Sequence, residues 1–227
     1  MDPLAAALGA VLPAAVGVAI SPLPIIASVL MLLSAKPTRT APAFAAGWLI
    51  GLTAVTVIVL LLAGPSAADT GGSPTATSWI KLALGLVFLL LAFHSWQTRP
   101  RAGSSPTPPK WMAGLDHLSP IAALGLGAAL SGLNPKNLAL TATGAVAIAS
   151  ADLGTAAEVS CVVVFVIVGS TLVVGPVIAF FVARDAMSRP LGGLKSFMQD
   201  HNAAIMTVLL TVLGVSDVGK GLGGLLG

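Results

Sequence analysis

Six apolar segments, each long enough to cross a bilayer, limit what this chain can fold into. They cover roughly 4–33, 43–63, 78–98, 118–149, 156–183 and 200–222, and a membrane-spanning helix needs about 20 apolar residues. Hydrophobic residues make up 56% of the chain and charged residues only 8%, whereas a soluble domain carries about 25% charged residues. The sequence therefore predicts an all-α polytopic membrane protein with six transmembrane helices.

The basic residues predict the orientation of these helices, because they are concentrated in alternate connecting loops. The three loops concerned hold Lys36 and Arg39, then Arg99, Arg101 and Lys110, then Arg184, Arg189 and Lys195. Basic loops stay in the cytoplasm, so we expect a multi-pass protein of the plasma (inner) membrane with both termini extracytoplasmic. Basic residues distributed among separate loops do not form a single basic surface. The net charge of +3 therefore does not indicate a nucleic-acid partner.

The first and fourth segments each contain a proline break near the middle. The breaks are Ser21-Pro22-Leu23-Pro24 and Asn134-Pro135-Lys136-Asn137, and Pro22 and Pro135 are separated by 113 residues, half the chain. Three segments per half is an odd number, so the second half must insert upside down. The sequence predicts two inverted three-helix repeats, 1–100 and 117–227, with broken helices 1 and 4 and a cytoplasmic linker over 101–116. The alternative is that the prolines are simple kinks, which membrane helices tolerate.

The two breaks also supply the candidate substrate-binding and translocation residues. Broken helices free backbone groups inside the membrane, and such breaks line cavities rather than lipid. A centrally placed lysine costs at least about 2.5–3.5 kcal/mol on insertion scales, so Lys136 is a functional candidate by default. Its charge, flanked by amides and hydroxyls, suits a carboxylate, sulfate or phosphate. The candidates are Ser21, Pro22, Pro24, Ser131, Asn134, Pro135, Lys136 and Asn137.

Two other interpretations of Lys136 stay open. The side chain can snorkel to an interface, or it can pair with a carboxylate such as Glu158, which we name as a candidate for an ion pair or for coupling. Asp217 is grouped with the acidic residues of the outer side. No Asp or Glu lies clearly at mid-membrane depth, so a carboxylate relay for proton coupling is not visible.

The remaining reactive residues indicate neither an enzyme nor a cofactor protein. The three histidines lie at the ends of different segments, the single Cys161 makes no internal disulfide, and no nucleophile–base pair is present. Residues 214–220 have the spacing of a P-loop, but Gly221 stands where Ser or Thr should hold magnesium. We expect no catalytic residue, no metal and no cofactor.

Small residues four positions apart predict close helix packing or a dimer face. The pairs are Gly47 with Gly51 and Gly125 with Ala129.

The residues around the two breaks resemble those of the LysE superfamily of six-helix exporters. Within it the chain is most similar, nearly end to end, to the actinobacterial GAP/Sap group, named for the addressing of sulfolipids and peptidoglycolipids. The resemblance rests on Ala19 to Pro24, Gly47 to Gly51, Asn134 to Leu138 and His201 to Gly214. It implies a transporter or flippase that moves a cell-envelope lipid, such as a glycolipid. It also implies a lipid synthase or larger lipid exporter as partner, and a homodimer.

Three functions remain open on the sequence. The first is translocation of a membrane lipid, and the second is export of an amino acid or other small anionic solute that meets Lys136. The third is a non-transporting scaffold for lipid export machinery, docked through the basic loop between the third and fourth segments.

Overall fold

The computed structural model describes residues 3–34, 36–69, 74–99 and 118–226, and these residues form eight α-helices and no strand. The helices are α1 (Pro3–Ala19), α2 (Pro22–Leu32), α3 (Pro37–Asp69), α4 (Pro74–Gln97), α5 (Pro120–Gly132), α6 (Pro135–Ala149), α7 (Thr155–Val182) and α8 (Arg184–Leu226). The predicted all-α class is confirmed. The predicted linker over 101–116 lies outside the described residues.

Several of these helices are long and apolar enough to cross a membrane. Four qualify alone: Pro37–Ala63, Ser78–Gln97, Thr155–Val182 and Asp200–Leu226. The pair α1 and α2, bent by 51°, makes a fifth candidate. The predicted break divides the fourth segment into two helices of 13 and 15 residues, α5 and α6. A helix of 15 residues is only about 22 Å long, so neither crosses a hydrocarbon core of about 30 Å alone.

Prolines determine where most of the described helices begin. Six of the eight, all except α7 and α8, start at a proline. Proline is favoured there because its missing N–H has no intrahelical partner and its φ already suits a helix. The residue before a proline is also biased away from helical geometry. Each proline break therefore ends one helix and starts the next, which explains why two predicted spans are divided.

Helices α3 and α5 pack with their backbones in contact. A Cβ atom on Gly47 would collide with the carbonyl of Leu124, and one on Gly127 would collide with the carbonyl of Phe44. Small residues allow such close approach in membranes. Gly47 thus packs inside this chain. Gly125 faces open space, and among the glycines of α5 the closest approach to α3 is at Gly127.

Helices α4 and α8 form a second glycine-mediated pair. A Cβ on Gly85 would lie 2.6 Å from the backbone nitrogen of Val218, and one on Gly221 would lie 2.8 Å from that of Leu82. Gly85 of α4 lies beside Val218 of α8, and the earlier Leu82 lies beside the later Gly221. The two helices are therefore antiparallel.

The core lies between the broken helices and the continuous helices α3 and α7. Trp48, Phe44 and Phe165 are fully buried there. The Trp48 indole N–H donates to the Ser170 hydroxyl at 3.2 Å, which satisfies the one polar atom of that side chain. This rigid core holds the two breaks in place.

Candidate functional site

The two proline breaks lie against each other inside the helical bundle. Ser21, between α1 and α2, donates from its hydroxyl to the Asn137 side-chain oxygen at 2.7 Å. Both side chains are buried, although they are separated by 116 residues. The two halves of the chain therefore contact each other at their breaks, as expected if both halves contribute to one site.

Lys136 closes the end of α1. Its ammonium donates to the carbonyls of Gly17 at 2.9 Å and Ile20 at 3.3 Å, and to the Ser21 hydroxyl at 2.6 Å. An ammonium has three donors, so all are used. The last carbonyls of a helix lack intrahelical partners and attract a positive charge. The lysine of α6 thus stabilises a helix end that the first break leaves open.

The position of the Lys136 side chain bears on the two interpretations left open by the sequence, an interface location and an ion pair with Glu158. Its side chain is only 8% exposed, and it points to the end of α1 rather than to an interface. Glu158 lies in the first turn of α7, and no ion pair joins it to Lys136 in the described part of the chain. A coupling role for Glu158 stays a prediction.

The asparagines of the second break satisfy backbone groups that the break leaves free. The Asn137 amide donates to the Leu130 carbonyl at 3.0 Å, near the end of α5. The Asn134 side-chain oxygen accepts from the Lys136 backbone N–H at 3.1 Å and caps α6. Both side chains hold the break in one conformation, because an unpaired buried backbone group is costly.

A pocket of about 150 Å³, which we call the polar pocket, opens beside the breaks, and four of its eight lining side chains are polar while the other four are apolar. Five of the predicted residues line it, namely Ser21, Pro22, Pro24, Asn134 and Lys136. Leu23, Asn202 and Met206 complete the lining.

Three predicted residues are not part of this lining. Pro135 begins α6, and Asn137 lies behind the pocket as the partner of Ser21. Ser131 is buried and donates to the Ala128 carbonyl at 3.0 Å, where it packs against Gly51.

Sequence reasoning missed the contribution of α8 to this pocket. Asn202 and Met206 are one turn apart on that helix, so they share a face. The available signal was a single amide residue, Asn202, close to the start of an apolar segment.

An open apolar cavity of about 590 Å³ lies at the surface of the bundle, and its lining includes the exposed side chains of Phe197 and Val208. Ile20 lines it at the break, Leu172 lines it from α7, and the rest of the lining comes from α8 between Phe197 and Leu209. The His201 ring stacks on the Phe197 ring at the end of this stretch, with 4.6 Å between ring centroids. The polar pocket and the apolar cavity flank the first break, because Ser21 lines the one and its neighbour Ile20 lines the other.

The other reactive residues do not converge in the described structure. Among the described residues no group of His, Cys, Asp and Glu has the arrangement of a metal site. His94 and His201 are exposed on different helices, and Cys161 is buried in α7. His117 lies outside the described residues.

A comparison with known families matches the chain over most of its length. The family model described as Sap, sulfolipid-1-addressing protein, covers residues 11–223. No curated protein and no solved structure gives a significant match. The match includes both breaks, the polar pocket and the apolar cavity, and on this basis the chain belongs to the Sap, sulfolipid-1-addressing protein family.

Proposed function

We propose that this protein moves a cell-envelope lipid across the plasma membrane, with the head group passing the two proline breaks. The observation that carries the proposal is that a small pocket with polar side chains and a larger apolar cavity flank the first break, the one lined by Ser21 and the other by the neighbouring Ile20. An amphiphile needs both kinds of surface next to each other. A lipid-related family membership supports the same class of substrate.

The polar pocket suits an anionic or hydroxyl-rich head group. Lys136 contributes the positive charge, and the amides of Asn134 and Asn202 offer donors and acceptors. Its volume of about 150 Å³ is below the roughly 300–1,000 Å³ of typical small-molecule sites, so only part of a lipid head group enters it in this conformation.

The apolar cavity favours a lipid over a small polar solute. An amino acid needs only the polar pocket, whereas about 590 Å³ of apolar space beside it matches an acyl chain that stays in the hydrocarbon region. The acyl chain comes from bilayer hydrocarbon rather than from water, so the cavity offers it van der Waals contacts and not a hydrophobic driving force.

Two inverted repeats would give such a site its alternating access. In that arrangement α3 corresponds to α7, α4 to α8, and the pair α1–α2 to the pair α5–α6. The helix contacts support it: α3 packs on α5 as α7 packs on α1, and α4 packs on α6 as α8 packs on α2. The α4–α8 pair maps onto itself, because exchanging the two repeats exchanges these two helices. We place the basic loops in the cytoplasm and both termini outside.

The test compares a deletion strain with its parent. Surface-extractable lipids and total cell lipids are measured by mass spectrometry, with amino acids in the medium measured alongside. A lipid that is still made but missing from the surface is the expected result, and it would identify the cargo. Unchanged lipids with altered amino-acid export would contradict the proposal and favour the solute exporter.

Complementation of the deletion separates transport from a scaffold role. Lys136→Ala should fail to restore the surface lipid although the protein is present in the membrane. Lys36→Ala, which removes an exposed lysine outside the site, is the matched control and should restore it. Full restoration by Lys136→Ala would favour the scaffold, which would recruit a synthase or larger exporter without moving lipid itself.

A further inference from the structure

Asp217 is an acidic side chain buried in a membrane-spanning helix. It lies on α8 within the candidate span Asp200–Leu226, and its exposure is only 4%. Nine residues separate it from Leu226, which places it about 14 Å along the helix from that end. The sequence grouped it with the outer acidic residues and predicted no acid deep in the membrane. The tertiary structure instead turns it into the bundle.

The Asp217 carboxylate has few partners in the described structure. Thr143 on α6 donates to it at 3.4 Å, which is a long hydrogen bond. No described lysine or arginine forms an ion pair with it. Lys220 on the same helix and Lys81 on α4 are the positive charges that act on it.

The other helices that pack against α8 add little charge. Helices α1 and α2 carry no ionisable side chain, and α7 carries only Glu158 and Cys161. On α6 the nearest charged residue to Thr143 is Lys136, two turns away.

Two opposing effects act on the charge of this group. An unpaired carboxylate in an apolar region carries its charge at high cost. Two nearby lysines offset part of that cost by Coulomb attraction. A small movement of α8 relative to α4 or α6 changes this balance. Such a movement would therefore change how readily the carboxyl group binds a proton.

An apolar layer separates Asp217 from the polar pocket. Leu140 lies between Lys136 and Thr143 on α6, and Leu213 lies one turn before Asp217 on α8. Both leucines approach Gly17, at 3.1 and 3.2 Å from where its Cβ would be. Helices α6 and α8 thus carry the pocket on one side of this layer and the carboxyl group on the other. A shift of α6 or α8 would therefore move residues at both the polar pocket and the Asp217 carboxyl group.

We propose that Asp217 is a proton-binding site that couples a transmembrane proton gradient to lipid movement. The carboxylate takes one proton from water on one side of the membrane and becomes the neutral acid. It returns the proton to water on the other side, and no other bond changes. Coupling rests on the transport proposed above, whereas proton binding at Asp217 does not.

The experiment uses the purified full chain in liposomes with a fluorescent phosphatidylglycerol as the probe. Its distribution between the leaflets is measured with and without an imposed pH gradient. If one proton is exchanged per lipid, a gradient of one pH unit shifts the wild-type distribution about tenfold. Asp217→Asn should give the same distribution with and without the gradient, and Asp217→Glu, which keeps the acid, should retain a response. Asp200→Asn changes an exposed acid on the same helix and should respond as the wild type does.

Infrared difference spectra between two pH values, recorded on the same protein variants in a detergent without ester groups, test proton binding without transport. The carbonyl band of a protonated carboxylic acid should appear in the wild type and in Asp200→Asn as the pH is lowered within the range of the transport assay. It should be absent from Asp217→Asn, with equal amounts of folded protein confirmed by size-exclusion chromatography. Equal bands in wild type and Asp217→Asn would overturn the proposal, as would a wild-type distribution that ignores the gradient. A wild type that moves no probe would count against the transport function, and the infrared comparison would then decide proton binding alone.

Discussion

The Lys136 ammonium donates a hydrogen bond of 2.6 Å to the Ser21 hydroxyl, and this contact joins the second proline break to the first. The same ammonium binds two carbonyls at the end of α1. The lysine therefore has two functions in one place. It stabilises an open helix end, and it brings a positive charge to the wall of the polar pocket.

Replacement of Lys136 by alanine should abolish translocation and leave a folded protein. The Gly17 and Ile20 carbonyls lose their partner, at a cost of about 1–3 kcal/mol in the free energy of unfolding. Denaturant titration in detergent measures the stability, and the liposome assay measures transport. Lys36→Ala should change neither quantity. Normal transport by a well-folded Lys136→Ala variant would show that this residue is not part of the translocation site.

The hydrogen bond between Ser21 and Asn137 should appear as an energetic coupling between the two halves. In a double-mutant cycle with Ser21→Ala and Asn137→Ala, we expect a coupling energy of about 0.5–3 kcal/mol, because the two groups contact each other at 2.7 Å. The free energies of unfolding provide the measurement. Ser21→Ala combined with Ser160→Ala, an exposed serine on α7, should be additive. Additivity at Ser21 and Asn137 as well would refute the contact.

Valine at Gly127 should disrupt packing between α3 and α5, whereas valine at Gly125 should not. The Cβ at position 127 would collide with the Phe44 carbonyl, but position 125 faces open space. Overpacking typically costs about 1–3 kcal/mol, and a collision with backbone leaves little room for relaxation. Size-exclusion chromatography of both variants shows the folded fraction. Equal behaviour would contradict this helix contact.

A large side chain in the apolar cavity should slow translocation without unfolding the protein. Ala204 lines the cavity, and Ala204→Phe would displace part of an acyl chain. The displaced CH₂ groups return to bilayer hydrocarbon, so only contacts of about 0.1–0.2 kcal/mol each are lost, and several such contacts correspond to a rate lower by about two- to fivefold. The initial rate in liposomes is the measurement. Thr211→Phe adds the same bulk at an exposed position of α8 outside this cavity, and a similar slowing there would show that the effect is not specific.

Labelling of single cysteines should reveal the orientation of the chain. In a Cys161→Ala background, a membrane-impermeant maleimide applied to intact cells should label Thr155→Cys and should label Lys36→Cys only after permeabilisation. Both positions are exposed in the structure, and the distribution of basic loops places them on opposite sides. The reverse pattern would invert the proposed topology.

Hydropathy and proline positions were enough to predict the membrane class, both breaks and Lys136. These are local properties: a run of about 20 apolar residues suits a bilayer, and a proline lacks the N–H that a continuing helix needs. The same local rule predicts where six of the eight described helices begin. It predicted a break in the segment over 118–149 but left a simple kink as the alternative, because a proline is compatible with either, and the structure has two separate helices there.

The tertiary structure alone decided which side chains meet. It brought Asn202 and Met206 of α8 to the polar pocket, selected Gly127 rather than Gly125 for packing, and buried Asp217 against Thr143. It also assigned the Lys136 ammonium to the end of α1, 119 residues earlier in the chain. Such contacts depend on how distant helices rotate and cross. That is settled by packing of the whole bundle, whereas sequence periodicity along one helix describes only that helix.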